Sequence, residues 1–441
     1  MLIQGWGRFP RIDAEVLEPQ TVSALTNTLA SVPEVAQIAR GAGRSYGDSA
    51  LAGQVISSRY LDNFHSLDEE QGILRCGAGL TFEQLLEVCI PRGWFPPVVP
   101  GTKFVTIGGA IAADIHGKNH HRDGSFCDFV ESFTLALANG ELKQCSQSEN
   151  AQLFRGVCGG MGLLGIVLDV TLRLNKVSSV FLKTQSIPTS NLNKTIAALE
   201  QHNDERFVVA WLDCLAQGES LGRGVVHVGD YDDSDRLTVH KRWGPGVPFS
   251  TPALLLNRHS MRLFNSLYYK LNSGSNSNES YEEFFFPLDS IRHWNRLYGR
   301  KGFLQYQFVL PDASAQEGIS SVLQRVASAG KGSFLAVLKK FGAQNSNLLS
   351  FPTAGMTLTL DFKNETSLFP LLDELDAIVI DHGGRHYLAK DARLSESVFK
   401  AGYPQWQEFK SIKEQVDPDE RFASLQSQRI GLTGGKGKHS S

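Results

Sequence analysis

Between Asp114 and His121 the chain reads DIHGKNHH, which places His116, Lys118, His120 and His121 within six residues. Histidine changes charge near neutral pH, and a lysine becomes a base or an anion anchor according to its burial. Three readings fit the cluster: metal ligation, proton transfer and anion binding beside a redox group, or a polar loop without chemistry. His116 and His120 are four apart, the spacing that puts two side chains on one helix face. A metal would need further ligands, and Asp123 is the one acid or thiol that follows at ligand spacing, with the Lys118 cation in between. No metal is therefore expected.

The other polar residues that stand out lie far away in sequence. Gln305 and Gln307 alternate in FLQYQFVLP, so on a strand both face one side. Two amides on one face form either a polar pocket wall or a solvent-facing sheet. Lys390 sits in YLAKDAR; a lone lysine of this kind is ordinarily a surface residue.

Three glycine-rich stretches could hold a ligand between these groups. GAGRSYGD, residues 41–48, follows a predicted strand; Gly41, Gly43 and Gly47 allow a tight turn whose N–H groups suit a pyrophosphate. The stretch beginning at Val99 and the one beginning at Leu153 repeat the pattern beside apolar strands. Three such loops within the first 170 residues point to a long ligand such as a dinucleotide. A Rossmann site is excluded: the spacing is G-x-G-x-x-x-G, and DSALAGQVISSRYL after it is a turn and a strand, without room for the required helix.

The elements that must position these residues alternate at first. QIARGAG, VISSRYL and GILRCGAG read as strands, TFEQLLEVCIPRG as a Thr-capped helix ending before Pro91, and ESFTLALANGELKQC as a hairpin turning at Asn139-Gly140. From about residue 178 the strands lengthen, as in RFVVAWLDC, FLQYQFVLP and TLTLDF, with the helical ASAQEGISSVLQRVASAG between them. LNSGSNSNES, residues 271–280, reads as a mobile loop. TPALLLNRHSMRLFNSLYYKLNS spaces Leu256, Leu263, Phe264, Leu267 and Leu271 near a helical period beside Arg258, Arg262 and Lys270. That is either a lid or core helix, or a basic amphipathic helix that lies on an anionic bilayer.

The 441 residues exceed one ordinary core, so two domains are expected. A net charge of −3 argues against a nucleic-acid partner, which calls for a positive excess. The six cysteines form no C-x-x-C pair and read as buried, reduced thiols; the N-terminus has no signal-peptide pattern, and no apolar run suffices to span a bilayer. A cytoplasmic protein is expected.

GRSYGDSA, PGTKFVTIGGAIAADIHGKNHH, WNRLYGRKGFLQYQFVLP and YLAKDAR together resemble the FAD-dependent decaprenylphosphoryl-β-D-ribose 2-oxidases, of the vanillyl-alcohol-oxidase-like flavoprotein superfamily. The resemblance runs from about Gly5 to about Ser424. It implies an α+β fold: a two-part PCMH-type FAD-binding domain, residues 1–177 and 381–430, an inserted substrate domain, residues 178–380, on an antiparallel sheet flanked by helices, and a disordered tail, residues 431–441. For FAD it implies Gly41, Ala42, Gly43, Arg44, Ser45, Tyr46 and Gly47, then Pro100, Gly101, Thr102, Thr106, Gly108, Gly109, Ala113, Gly117 and Asn119, with Ile166 and Lys390. It assigns chemistry to Lys390, His116, Lys118 and Tyr46 and substrate contacts to Gln305, Gln307, Lys339, Arg296, Tyr387 and Thr359, leaving His120 and His121 structural.

The implied reaction oxidises the 2-hydroxyl of a lipid-linked sugar phosphate, a polyprenyl-phosphate pentose, to a 2-keto sugar. An NAD(P)H-dependent short-chain reductase would complete the epimerisation to arabinose, and contact with the inner face of the plasma membrane would be peripheral. Whether Lys390 or His116 is the base stays open. The alternatives are an FAD oxidase of a soluble sugar, alditol or aldonolactone, and a flavin-bearing binding protein without turnover. Two departures stand out. Covalent relatives carry His where this chain has Asp48, so non-covalent FAD is implied. The mycobacterial-type enzymes read Asn-x-Cys at Thr357-Leu358-Thr359 and Tyr-His at Phe285-Phe286, so the pocket wall has changed.

Overall fold

In a strand buried on both faces every residue must find a partner, and FLQYQFVLP and TLTLDF solve this by splitting their faces. The computed structural model describes residues 1–31, 35–238, 246–250, 257–272 and 274–434. Phe303–Pro311 and Gly355–Lys363 pair antiparallel with Gln305 opposite Asp361 and Gln307 opposite Thr359. Leu304, Tyr306, Phe308 and Leu310, with Met356, Leu358, Leu360 and Phe362, point to one side and pack with Ile319, Val322 and Leu375 of the covering helices Asp312–Ala329 and Phe369–Asp381. Each such side chain contributes about 1.5–3 kcal/mol on burial. The polar set is thereby turned to the opposite face.

These strands belong to an eight-stranded sheet. Its order is Asn276–Ser280, Phe181–Thr189, Gly224–Tyr231, Phe207–Leu212, Ala336–Phe341, Gly355–Lys363, Phe303–Pro311 and Arg385–His386. All its pairings are antiparallel. The edge strand Asn276–Ser280 corrects the expected loop. Asn and Ser are poor strand formers, but at an edge the ladder suffices and polar side chains are suited to solvent; Thr184 also bonds Ser277 and Glu279 across the pair.

The first part of the chain holds a parallel three-stranded sheet, Glu15–Leu17, Gln54–Ser57 and Gln37–Arg40, and a five-stranded antiparallel sheet. The predicted helix is Phe82–Cys89, held by a reciprocal capping box between Thr81 and Gln84. The hairpin joins Val130–Ala136 to Leu142–Ser146, with Gly140 at φ +84°. The arrangement is α+β.

The C-terminal segment returns to the first sheets. Gln37 pairs with Phe422, and the Arg429 guanidinium clamps Asp48 at 2.7 Å and Asp391 at 2.9 Å. Arg385–His386 still belongs to the large sheet, beyond the break expected at residue 381. The tail expected from residue 431 is packed at its start: Leu432 and Thr433 are buried, and Thr433 bonds Ser427. Residues 435–441, expected to be disordered, lie outside the described residues, as does Leu256. The amphipathic stretch forms the helix Arg258–Leu271, capped by Asn257. Leu263, Phe264, Leu267 and Leu271 are exposed on it, together with Arg258, Arg262 and Lys270. Among the described residues no helix is long and apolar enough to cross a membrane.

Candidate active site

The polar face of the large sheet meets the glycine loops across a cavity of about 320 Å³, within the range of small-molecule sites. The loop after Gln37–Arg40 forms one wall. Ala42, Gly43, Arg44 and Ser45 line the cavity, and among the described residues their backbone N–H groups have no protein acceptor. Gly43 has φ +64°, and a Cβ there would strike Arg40; a Cβ on Gly41 would come within 2.2 Å of the Thr106 hydroxyl. Arg44 stacks over Trp6 at 4.3 Å, and its buried Nε has no partner among the described residues. Pro100, Gly101, Thr102, Thr106, Gly108, Gly109, Ala113 and Ile166 line the same space. A row of free N–H donors in a glycine cradle, ending on a cation, fits the pyrophosphate of a dinucleotide.

Gln305, Gln307, Lys339 and Thr359 of the large sheet line the cavity as well, together with His116, Tyr387 and Lys390. His116 is held by a chain of hydrogen bonds. Thr357 gives its hydroxyl proton to the Phe308 carbonyl at 2.8 Å, so it accepts from Gln307 at 3.2 Å. Gln307 must therefore turn its amide nitrogen inwards, and the second hydrogen reaches Nε2 of His116 at 3.1 Å. Nε2 thus accepts, and Nδ1, which has no partner among the described residues, carries the proton. Burial, then the neighbouring Lys339, His120 and Lys390, hold this imidazole neutral, far below its ordinary pKa.

The backbone beneath it is fixed by Asp114, a non-glycine residue at φ +37°. Asp114 is fully buried and accepts from Asn345, Asn347 and Ser350 at 2.7–2.9 Å and from the Cys127 N–H at 3.0 Å. The three side-chain donors come from the loop before Gly355–Lys363, so the large sheet and the histidine loop are locked together. Tyr387 adds a bond to the Ala113 carbonyl at 3.2 Å and stacks on Phe351.

Lys390 follows the edge strand Arg385–His386, and its Nζ lies 4.0 Å from the centre of the Tyr46 ring. Burial lowers the Lys390 pKa to about 8, against an opposing pull from Asp361. Lys339 falls to about 7, by burial and then by Lys118 and Lys390. Either lysine is thus available as a neutral amine near physiological pH.

Five residues expected at the site stand off the cavity wall. Lys118 donates to the Phe284 carbonyl and lies 4.1 Å from that ring's centre, so it acts on the cavity only as a charge behind it. Arg296 is turned to the Val247 and Pro248 carbonyls at 3.0 and 2.8 Å. Asn119 bonds Pro97 and Asp123, and Gly117 packs against Asn119. Gly47 packs so closely on the Asp391 carbonyl that a Cβ would sit 1.8 Å from it. Phe285 and Phe286 also lie off the cavity, in the aromatic cluster with Phe95 and Phe207. Sequence reasoning missed Asp361 and the Asn345–Asn347–Ser350 clamp. The odd-numbered alternation of Thr357, Thr359 and Asp361 carried a signal for the first; nothing local announced the second.

Residues 14–146 match the family described as FAD binding domain, and residues 356–430 match D-arabinono-1,4-lactone oxidase. The protein is thus an FAD-dependent oxidoreductase acting on CH–OH groups. It is 36% identical to the decaprenylphosphoryl-β-D-ribose oxidase of Mycolicibacterium smegmatis, over 98% of this chain and 97% of the relative. It is 32% identical to an uncharacterized protein of Streptomyces coelicolor over 80% of this chain and all of that one, and 22% identical to the L-gulonolactone oxidase of Bos taurus over 97% of each. The chain belongs to the decaprenylphosphoryl-β-D-ribose oxidase family.

Proposed function

We propose that this oxidoreductase converts the 2-hydroxyl of a polyprenyl-phosphate-linked pentose to a 2-keto sugar, and that a separate NAD(P)H-dependent short-chain reductase completes a 2-epimerisation. The observation that carries this reading is that Lys390, with its lowered pKa, and the neutral imidazole of His116 line one cavity with Gln305, Gln307 and Lys339. Bound FAD supplies the acceptor for the hydride that leaves the carbinol carbon. The loop of residues 42–45, Thr106 and Arg44 would hold its phosphates. Neutral Lys390 takes the hydroxyl proton, since a base works best with a pKa near the working pH. His116, too weakly basic for that role, remains a neutral, fixed part of the cavity lining, held by Gln307. Lys339 lines the cavity without an ion-pair partner among the described residues, and a substrate phosphate would raise its lowered pKa and be held by the resulting ammonium.

A lipid carrier is supported by the exposed helix Arg258–Leu271. Its Phe264 packs on Phe334 at 5.0 Å, next to the cavity-lining Leu335. An apolar ridge flanked by cations suits an anionic bilayer surface, and it would keep the prenyl chain near the cavity. The second reading, a soluble-sugar or aldonolactone oxidase, is favoured by the lactone-oxidase match over residues 356–430. Anaerobic bleaching of the flavin against prenyl-phosphate sugars, free sugars and aldonolactones tests both. Reduction by the lipid-linked pentose supports the first reading; reduction by free sugars or lactones alone replaces it with the second.

A further inference from the structure

Asp361 lies in the polar face of the large sheet beside Gln305, Gln307, Thr357 and Thr359. It is fully buried and does not touch the cavity. Its Oδ1 accepts from Gln305 Nε2 at 2.6 Å, its N–H is bound by Ser333, and its Oδ2 has no partner among the described residues. A carboxylate left half satisfied in the interior is costly unless a charge balances it. An apolar or amide side chain would be cheaper in that place if the role were packing alone.

The groups around it single out one partner. Tyr46 from the glycine loop and Tyr298 from the turn Trp294–Tyr298 both feel its charge, as neutral phenols. Gln305 links it to Tyr46, accepting nothing ionic. Lys390 is the cation that acts on it, and Lys390 lies over the same Tyr46 ring, 4.0 Å from its centre. The other groups that interact with Lys390, namely His116 and Lys339, are a neutral imidazole and another amine. Among the described residues Lys390 has no ion-pair partner, so its charge is answered across the Tyr46–Gln305 layer or not at all.

We infer that Asp361 is the positioning counter-charge of Lys390: a carboxylate one layer behind the wall that holds the lysine over Tyr46 at the reacting face. The inference rests on the reading that Lys390 meets the substrate hydroxyl. The electrostatics agree with the geometry. Burial pushes the carboxyl up to about 7 and the amine down to about 8, so Asp361 is already ionised over the pH range in which Lys390 loses its proton. Asp361 thereby sets the pH at which Lys390 becomes a base without itself touching substrate or flavin.

The test follows Lys390 directly in FAD-loaded protein labelled with ¹³Cε-lysine, its resonance assigned by Lys390→Met. In Asp361→Asn the Lys390 midpoint should fall by about one pH unit, the effect of losing a nearby opposite charge. In Lys390→Met the Asp361 carboxyl, followed by ¹³Cγ-aspartate labelling, should rise by a similar amount, because the coupling is reciprocal. The second arm stands if Asp361→Asn does not fold. A Lys390 midpoint that stays put in folded Asp361→Asn, or an Asp361 midpoint that stays put in Lys390→Met, overturns the inference. Neither arm uses a substrate, so failure of the sugar-oxidation reading would show as absent bleaching with both shifts intact.

Discussion

The amide nitrogen of Gln307 donates to Nε2 of His116 across 3.1 Å, and that one bond sets the tautomer of the imidazole and its angle to the cavity. Replacing Gln307 with Leu would leave Nε2 buried without a donor. The expected cost is about 1–3 kcal/mol of stability, the penalty of an orphaned buried group. Denaturant unfolding of the variant, with a matched m-value, measures it; an unchanged midpoint would mean that the bond is not formed.

Lys390→Met is expected to abolish reduction of the flavin by substrate while FAD stays bound. A charge or base aimed at the reacting oxygen in a dry site is worth roughly 3 kcal/mol or more, a loss of about a hundredfold. The sign of the pH dependence follows from the amine. Neutral Lys390 is the base and its pKa is lowered to about 8, so the rate of reduction rises with pH up to about that value and then levels. Stopped-flow reduction from pH 6 to 10 is the measurement, with near-normal reduction in the variant removing Lys390 from the reaction.

The flavin should be held without a covalent bond. Asp48 stands where covalent relatives carry histidine, and its carboxylate is engaged by Arg429 at 2.7 Å. Acid precipitation should leave the yellow colour in the supernatant; flavin in the pellet would contradict this.

The helix Arg258–Leu271 should bring the protein to vesicles of anionic phospholipid at low salt and release it as salt rises, since surface attraction fades within a Debye length. Leu263→Asp combined with Leu267→Asp should abolish sedimentation with vesicles while leaving the flavin spectrum intact. Equal binding by the variant would place any membrane contact elsewhere.

The strands and the helix Phe82–Cys89 were legible because period-two alternation, a Thr cap and an Asn-Gly turn are local signals. The wall of Gln305 and Gln307 was legible for the same reason. What escaped is non-local. Lys118 lies in the same short stretch as His116, yet its side chain turns behind the wall, because the aromatic cluster at Phe284 and Phe285 gives its ammonium a carbonyl and a ring. Arg296 matched a sequence motif and yet serves two backbone carbonyls of a neighbouring segment. The strand Asn276–Ser280 was hidden by composition, since its order comes from Phe181–Thr189 rather than from its own residues.

The clamp of Arg429 on Asp48 joins residues 381 apart, and Lys390, Ala389 and Tyr387 complete a wall begun at Gly41. A ribosome adding about 5–20 residues per second takes roughly 20–80 s to cover that span. The nascent chain therefore carries a finished glycine loop and an unfinished pocket for most of its synthesis. A chain truncated before Tyr387 lacks part of the pocket lining that would retain the cofactor. Retained yellow colour therefore reports that the chain has been made and folded at least through Lys390.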